Sequence, residues 1–234
     1  MKMKRTEKKD LLAGLGLLAA FGIWTLLILA IDVQPVGPNG SSVGFAAFNA
    51  WFHLVTGVHM ALYTVTDWLG LVPILICFCF GILGAVQLFG RRSLRRVDPD
   101  ILLLGVYYIL VIAAYLFFEM VPVNYRPVLI GGVLEASYPS STTLLVLSVM
   151  PTLELQASRR LPDGPARKAA SAFAWLFSAF MVAGRLVAGV HWATDIVGSV
   201  LLSFGLFKLY RSAVRLADRK AAEISGKERN HGIQ

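Results

Sequence analysis

The 234-residue sequence predicts an all-α protein: a six-transmembrane-helix bundle with an extracytoplasmic interfacial helical segment. Apolar residues make up 56% of the chain and charged residues only 15%. Several apolar runs approach the roughly 20 residues that cross a bilayer as a helix. Because backbone amides in lipid must be paired within their own segment, such runs favour helices. Almost all of the basic residues also fall on one side of the resulting bundle.

The six predicted spans are Leu11–Ile31, Leu71–Phe89, Ile101–Val121, Thr142–Gln156, Ala169–Val187 and Trp192–Tyr210. The first span is longer than the apolar core of a signal peptide, and no small-residue cleavage site follows it before Asp32. We therefore interpret it as an uncleaved anchor. The fourth span is short and carries Pro151 and Glu154. The whole chain is expected to form one membrane domain, with cytoplasmic tails at 1–10 and 211–234.

The distribution of positive charge predicts the topology. Of the 22 Lys and Arg residues, 20 fall in the N-terminal tail (Lys2 to Lys9), the loops after the second and fourth spans, and the C-terminal tail (Lys208 to Arg229). The positive-inside rule makes this side cytoplasmic. We expect the membrane to be a plasma (inner) membrane. Only Arg126 and Arg185 lie on the other side. Charges scattered among short loops indicate contact with lipid head groups and argue against a nucleic-acid partner.

Two further features complete the organisation of the chain. Cys77 and Cys79 lie two residues apart, so they point to different sides of a helix, which argues against a structural disulfide or a metal site. The segment between Asp32 and Gly70 is rich in aromatic residues and has few charges. It predicts an amphipathic helix at the interface, or a partly re-entrant one. It either forms a wall where a lipid enters or simply anchors the protein as an aromatic belt.

Polar residues gather in three clusters at the outer ends of the predicted spans. They are 124–127 (NYRP), 138–143 (YPSSTT) and 184–195 (GRLVAGVHWATD). His191 and Asp195 share a helix face, so the carboxylate can fix the imidazole tautomer and leave the other nitrogen as a nucleophile. Arg126 and Arg185 have the fork geometry that suits a phosphoryl group. The predicted site therefore binds phosphate and contains a histidine nucleophile.

The start of the fourth span adds a second type of anion ligand. Ser140, Ser141 and Thr142 can offer hydroxyl groups and free backbone amides at a helix N-terminus. Each feature also has a purely structural interpretation. The His–Asp pair can be a structural hydrogen bond, the hydroxyl run an N-cap and Arg126 an interfacial anchor. Because all of them fall on one membrane face, we favour a common phosphate site, with no metal and no cofactor.

The spacing Arg-x5-His-x3-Asp, here Arg185, His191 and Asp195, resembles the third signature of the type-2 phosphatidic acid phosphatase superfamily. That superfamily also includes the vanadium-dependent haloperoxidases. Arg126-Pro127 and Pro139-Ser140 resemble parts of its first two signatures. The resemblance implies metal-independent hydrolysis of a lipid phosphate, with attack by His191, orientation by Asp195, and transition-state stabilisation by Arg126, Arg185 and the Ser140 region.

The sequence departs from the superfamily pattern at three positions. Glu119 stands where the first signature has lysine, Ser141 replaces a glycine, and Thr142 stands where the second signature has the histidine that protonates the leaving group. Without that acid, a site should favour a diphosphate lipid such as undecaprenyl diphosphate, because a leaving phosphate has a pKa of about 6. Alternatively, an acid reaches the leaving group from another direction; the candidates are Glu119, Glu135, His53 and His59.

Three functions follow from these observations. The first is a membrane lipid phosphatase whose partners are its lipid phosphate substrate and the bilayer. The second is a catalytically weakened relative that binds or moves phospholipid, which the residues at 119 and 142 keep open. The third is a small transporter, which we disfavour because the two halves of the chain show no repeat of broken helices.

Overall fold

The chain is described by a computed structural model, which covers residues 4–231, with side chains as far as Ile224. The described residues form eight α-helices: α1 Arg5–Ala30, α2 Ala46–Thr56, α3 Met60–Leu69, α4 Leu71–Arg91, α5 Pro99–Met120, α6 Ser141–Arg160, α7 Pro165–Val187 and α8 Ala193–His231. Within those residues, β-pairing is limited to three isolated bridges. The predicted all-α class is confirmed. That the chain is a single domain stays a prediction.

Five helical stretches are long and apolar enough to cross a membrane. They are Arg5–Ala30, Met60–Arg91, Pro99–Met120, Pro165–Val187 and Ala193–Ile224. Helix α6 is too polar to join them, yet its 20 residues reach about 30 Å at 1.5 Å per residue. It packs against α4, α5, α7 and α8, so its polar side chains face protein. Together these helices form the predicted bundle of six.

Neighbouring helices satisfy the polar groups of α6. The Tyr107 hydroxyl group donates to the Ser148 carbonyl oxygen at 2.9 Å, and the Gln156 side-chain amide donates to the Tyr210 hydroxyl group at 2.8 Å. An unsatisfied polar group in a membrane protein interior is costly. These bonds explain how a helix with low hydropathy lies at the centre of the bundle.

Two helices extend further than predicted. Helix α1 begins at Arg5 instead of Leu11, and α8 continues to His231 instead of ending near Tyr210. The carboxyl group of Asp10 on α1 is buried and forms ion pairs with Arg211 and with Arg215, the latter at 2.6 Å. These pairs hold both helices together beyond their apolar segments. Predicted tail residues 1–3, with Lys2, and 232–234 lie outside the described residues, as do the side chains of Lys227 and Arg229.

The segment between α1 and α4 contains two short helices instead of the single one predicted. Gly57, with φ of +69°, forms the corner between α2 and α3. That corner lies directly on the turn between α7 and α8, since the His59 N–H donates to the Ala188 carbonyl oxygen at 3.0 Å. A Cβ atom at Gly189 would lie 2.0 Å from the Gly57 carbonyl oxygen. This close approach brings α3 beside the end of α7.

The segment between α5 and α6 folds back on itself. The Arg126 N–H donates to the Glu135 carbonyl oxygen at 3.0 Å, and the Ser137 N–H donates to the Asn124 carbonyl oxygen at 2.9 Å. Gly131–Gly132 form the turn, and both have positive φ. Because the two arms are held in register, Asn124, Arg126 and Ser137 reach the same end of the bundle as the turn between α7 and α8.

Asp100 is buried at the opposite end of the bundle and lies 3.1 Å from Arg159 and 2.8 Å from Arg160. We expect Asp100→Asn to lower the free energy of unfolding by about 2 kcal/mol or more, because two partly buried guanidinium groups would lose their buried counter-ion and keep only the more exposed carboxylates of Asp218 and Asp98. Thermal unfolding in detergent measures this loss. Asp163→Asn is the matched control: its ion pair with Arg167 is on the surface, with the Asp163 side chain 90% exposed. Equal effects of the two substitutions would contradict the prediction.

Candidate active site

His191 and Asp195 flank the start of α8 and are both buried. The Asp195 carboxylate accepts a hydrogen bond from the Trp192 backbone N–H at 2.9 Å, which satisfies a free donor at the helix start. Its Oδ2 atom lies 3.9 Å from the Nδ1 atom of His191. That distance is too long for a hydrogen bond, so the carboxylate does not contact the imidazole directly.

Ser137 lies between the two groups. Its hydroxyl group donates to Asp195 Oδ2. The oxygen atom of that hydroxyl group, Ser137 Oγ, lies 3.2 Å from His191 Nδ1. The Ser137 carbonyl oxygen is also 3.2 Å from Nδ1. Asn124 donates to the other carboxylate oxygen, Oδ1, at 3.2 Å. The carboxylate is therefore held by three donors, and the imidazole by both oxygen atoms of one serine.

The second ring nitrogen of His191, Nε2, is buried and has no hydrogen-bond partner among the described residues. Burial lowers the pKa of His191 well below its usual range, and the charges of Arg126 and Arg185 lower it further. The imidazole is therefore neutral at physiological pH. With Nδ1 facing two oxygen acceptors, the lone pair is on Nε2, which is what a nitrogen nucleophile requires.

The guanidinium groups of Arg126 and Arg185 flank the ring of Tyr63 on α3, with their Cζ atoms 5.9 and 4.9 Å from its centroid. Glu135 lies 3.0 Å from Arg126 Nε, and Asp67 lies 3.6 Å from Arg185 Nη2. Arg126 Nη1 and Arg185 Nε are buried and have no hydrogen-bond partner in the described part of the chain. These N–H groups are available to an oxyanion.

Ser140, Ser141 and Thr142 are at the start of α6, as predicted from the sequence, but they do not play equal parts. Ser140 is buried; its hydroxyl group donates to Thr143 Oγ1 at 3.1 Å, and its N–H donates to the Asp195 carbonyl oxygen at 3.4 Å. Its side chain therefore supports the structure of the site. Residues 141–143 supply the first-turn N–H groups, which lack an intrahelical partner. Ser141 lines a water-sized cavity together with His191.

The four candidate proton donors have different surroundings, and one of them lines this cavity. Glu119 lines the cavity together with His191, and Glu135 pairs with Arg126. His53 packs against Trp192, with ring centroids 5.6 Å apart. His59 Nε2 is 2.8 Å from the Thr56 carbonyl oxygen and is exposed. Glu119 is therefore the candidate that lines the same cavity as His191.

The structure thus brings His191, Asp195, Arg126, Arg185 and the start of α6 to one end of the bundle. Four contributors were not predicted from the sequence as site residues: Ser137, Asn124, Tyr63 and Asp67. Asn124 lies within the predicted cluster 124–127 and Ser137 directly precedes the cluster 138–143, so their positions in the sequence were a usable signal. Tyr63 and Asp67 carry no such signal, because the contact of α3 with α7 brings them to the site. Among the side chains described, those of residues 4–224, no three His, Cys, Asp or Glu residues cluster so as to hold a metal ion.

Comparisons with known proteins agree with this geometry. The family model described as PAP2 superfamily matches residues 105–218, a range that includes Arg126, Arg185, His191 and Asp195. A crystal structure of a transmembrane PAP2 type phosphatidylglycerolphosphate phosphatase from Bacillus subtilis is similar, with a TM-score of 0.51. The alignment covers 88% of this chain and 96% of that one at 20% identity, a level that shows a common fold. No curated protein matches the chain.

The resemblance to the PAP2 superfamily is confirmed. The segment between α5 and α6, the start of α6 and the turn between α7 and α8 all lie within the matched range, and they converge at one end of the bundle. The PAP2-like part of the chain thus supplies His191 and both arginines, while α3, outside the matched range, supplies Tyr63 and Asp67.

We expect His191 to remain neutral at pH 7 and to titrate below its ordinary pKa of about 6.5. NMR of 15N-histidine-labelled protein measures this, with the signal assigned by its loss in His191→Ala. Because the folded-state pKa lies below the unfolded one, the His191 contribution destabilises the fold as pH falls below about 6.5. A His191 signal that titrates at or above pH 6.5 would contradict the prediction.

Proposed function

We propose that this multi-pass membrane protein is a lipid phosphatase that works through a phosphohistidine intermediate and prefers a diphosphate lipid. The observation that carries the proposal is the buried, neutral His191 Nε2, without a partner in the described residues, beside two buried guanidinium groups. A buried polar atom without a partner is uncommon, and a bound phosphoryl group would give both the imidazole and the arginines their missing contacts.

The reaction proceeds in two displacements. The Nε2 lone pair forms a bond to phosphorus while the bond from phosphorus to the leaving oxygen breaks, and the leaving group takes that electron pair. Water then attacks phosphorus, the P–N bond breaks, and its electron pair returns to Nε2 as phosphate is released. In both steps Arg126 and Arg185 stabilise the charge on the equatorial oxygens. These permanent cations support a reaction that is independent of metal ions.

The lipid part of the substrate has a suitable place beside the site. A cavity of about 530 Å³ between α4, α5 and α6 is lined by apolar side chains, with Ser141, Thr142 and Asp67 at its polar end. A lipid whose phosphate contacts the start of α6 would place its hydrocarbon chain in this groove. This arrangement supports a membrane lipid as the substrate.

Further apolar space lies beyond this groove, toward the opposite end of the bundle. A second apolar cavity, of about 260 Å³, lies between α4 and α5 and shares Cys77 and Tyr108 with the first. Along α4, the two cavities extend from Leu71 to Leu88, about 25 Å at 1.5 Å per residue. Half of a bilayer core is only about 15 Å thick. A chain that occupied both cavities would be longer than one leaflet, which supports a long prenyl lipid such as undecaprenyl diphosphate.

The chemistry of the leaving group also favours a diphosphate. Thr142 cannot protonate an alcohol leaving group at neutral pH, whereas a leaving phosphate, with a pKa of about 6, needs no proton. The competing hypothesis is that Glu119, which lines the cavity with His191, supplies a proton. Glu119→Ala distinguishes the two hypotheses. If Glu119 is the general acid, its loss should slow hydrolysis of a phosphate monoester more than hydrolysis of a diphosphate.

We propose that the site faces the extracytoplasmic side of a plasma membrane and that both termini are cytoplasmic. The basic residues support this orientation. Arg211, Arg215, Arg159 and Arg160 all lie at the end of the bundle opposite to His191, where they form ion pairs with buried carboxylates. The positive-inside rule assigns that end to the cytoplasm.

A second candidate function is a relative of weak activity that binds or moves phospholipid. The apolar groove and Thr142 in place of an acid favour it, since both would allow binding without turnover. The structure of the nucleophile argues for the first candidate, because a buried imidazole fixed by two oxygen acceptors is not needed for binding a lipid.

Purified protein in detergent micelles is expected to release phosphate from undecaprenyl diphosphate faster than from phosphatidic acid or phosphatidylglycerolphosphate. His191→Ala should lower every rate by at least about a thousandfold, because the covalent route is lost. Acid-labile, base-stable 32P on the wild type, absent from His191→Ala, identifies the phosphohistidine. Faster release from phosphatidic acid would refute the diphosphate preference, and equal lipid binding without release by either protein would favour the second candidate.

The groove predicts selection by chain length. A Cβ atom at Gly81, which lines the second cavity, meets nothing within 4 Å, so Gly81→Leu should fill that cavity without displacing the backbone. We expect kcat/KM for undecaprenyl diphosphate to fall about tenfold relative to that for farnesyl diphosphate, because the longer chain loses its place. Gly22→Leu on α1, where a Cβ atom also has no neighbour within 4 Å, is the matched control. An unchanged ratio in Gly81→Leu would contradict the prediction.

A further inference from the structure

We infer that Ser137 is a positioning residue whose hydroxyl group couples the Asp195 carboxylate to the His191 imidazole. This inference rests on the proposed function, since it assigns a role within the attack by His191. The geometry supports it directly. The carboxylate is 3.9 Å from Nδ1, whereas the serine oxygen is 3.2 Å from Nδ1 and donates its hydrogen to that carboxylate. The serine thus bridges a gap that no direct hydrogen bond spans.

The directions of these hydrogen bonds follow from the donors available. An ionised carboxylate only accepts, so Ser137 gives Asp195 its single hydroxyl hydrogen. The hydroxyl oxygen of Ser137 can then act only as an acceptor toward the imidazole. The Ser137 carbonyl oxygen is likewise an acceptor only. Nδ1 must therefore carry the ring hydrogen, and Nε2 must carry the lone pair. One residue fixes the tautomer through both its backbone and its side chain.

The coupling stabilises charge during the reaction. When Nε2 bonds to phosphorus, the ring becomes positively charged, and its Nδ1–H becomes a stronger donor. The Asp195 charge polarises the Ser137 hydroxyl group, so the serine oxygen becomes a better acceptor for that donor. No proton leaves Nδ1 in either displacement. All three side chains are buried, which strengthens each contact relative to the same contact in water.

The alternative is that the hydroxyl group merely satisfies a buried carboxylate. Asn124 supplies the matched control, because it donates to the other oxygen of Asp195 at 3.2 Å and thus holds the same carboxylate from its far side. If Ser137 acts only on Asp195, removing either donor should have a similar effect. If Ser137 also acts on His191, its removal should cost more.

The experiment measures the rate of phosphohistidine formation by rapid quench with a 32P-labelled prenyl diphosphate. We expect Ser137→Ala to slow this step about ten- to a hundredfold, the range for a hydrogen bond to a charged group, and Asn124→Ala to slow it less. Ser137→Thr, which keeps the hydroxyl group, should recover most of the rate. In Asp195→Asn, adding Ser137→Ala should cause little further loss, because the coupled charge has already gone.

Two results would overturn the inference while leaving the proposed function intact: equal losses in Ser137→Ala and Asn124→Ala, or losses of Ser137→Ala and Asp195→Asn that multiply in the double variant. If the wild type forms no phosphohistidine with any lipid, the proposed function fails instead.

The hydrogen bond between Ser137 and His191 is then measured by the 15N shift of His191 Nδ1. A shift that changes in Ser137→Ala but not in Asn124→Ala supports the coupling, and an unchanged shift overturns it. The NMR comparison also applies to Ser137→Thr if the alanine variant does not fold.

Discussion

The electrostatic environment of one imidazole constrains the whole end of the bundle that contains it. His191 is buried beside two guanidinium groups, and both effects oppose its protonation. A neutral ring can remain in such a place only if its N–H has an acceptor that the surrounding structure holds fixed. Ser137 supplies that acceptor, and the paired arms of the loop between α5 and α6 hold Ser137. The loop, the start of α6 and the turn before α8 are thus parts of a single arrangement.

The same constraint explains the carboxylates around the arginines. Two buried guanidinium groups near each other repel, and Glu135 and Asp67 each lie close to one of them. Both carboxylates are more exposed than the arginines: Arg185 has 1% side-chain exposure, against 56% for Asp67. A phosphoryl group that reaches the buried N–H groups can therefore replace these contacts without burying a carboxylate. In the proposed phosphatase, the acidic residues then balance the charge of the arginines and are not themselves phosphate ligands.

Sequence reasoning predicted the bundle and the principal site residues for physical reasons that operate locally. Apolar length predicted the spans, and helical spacing placed His191 near Asp195. It could not predict that Ser137 lies between them, because a difference of about 1 Å between a direct and a bridged contact depends on how α8 packs on the loop. Nor could it predict Tyr63 and Asp67 in the site, since their position follows from the close approach of Gly57 and Gly189. The ion pairs that join the extension of α8 past Tyr210 to α1 connect residues far apart in the chain, so no local pattern indicates them.

Helix α6 connects the chemistry of the site to the nature of its substrate. Its first turn supplies unpaired N–H groups beside the cavity of His191, and the following turns line the apolar groove through Leu144, Leu145 and Val149. Because the helix is rigid, a phosphate bound at its start and a chain lying along its side have a fixed relative position. A soluble phosphate ester would occupy only the first of these surfaces. In the proposed reaction, binding energy from the chain is therefore available to orient phosphorus against Nε2, an advantage that only a lipid substrate can provide.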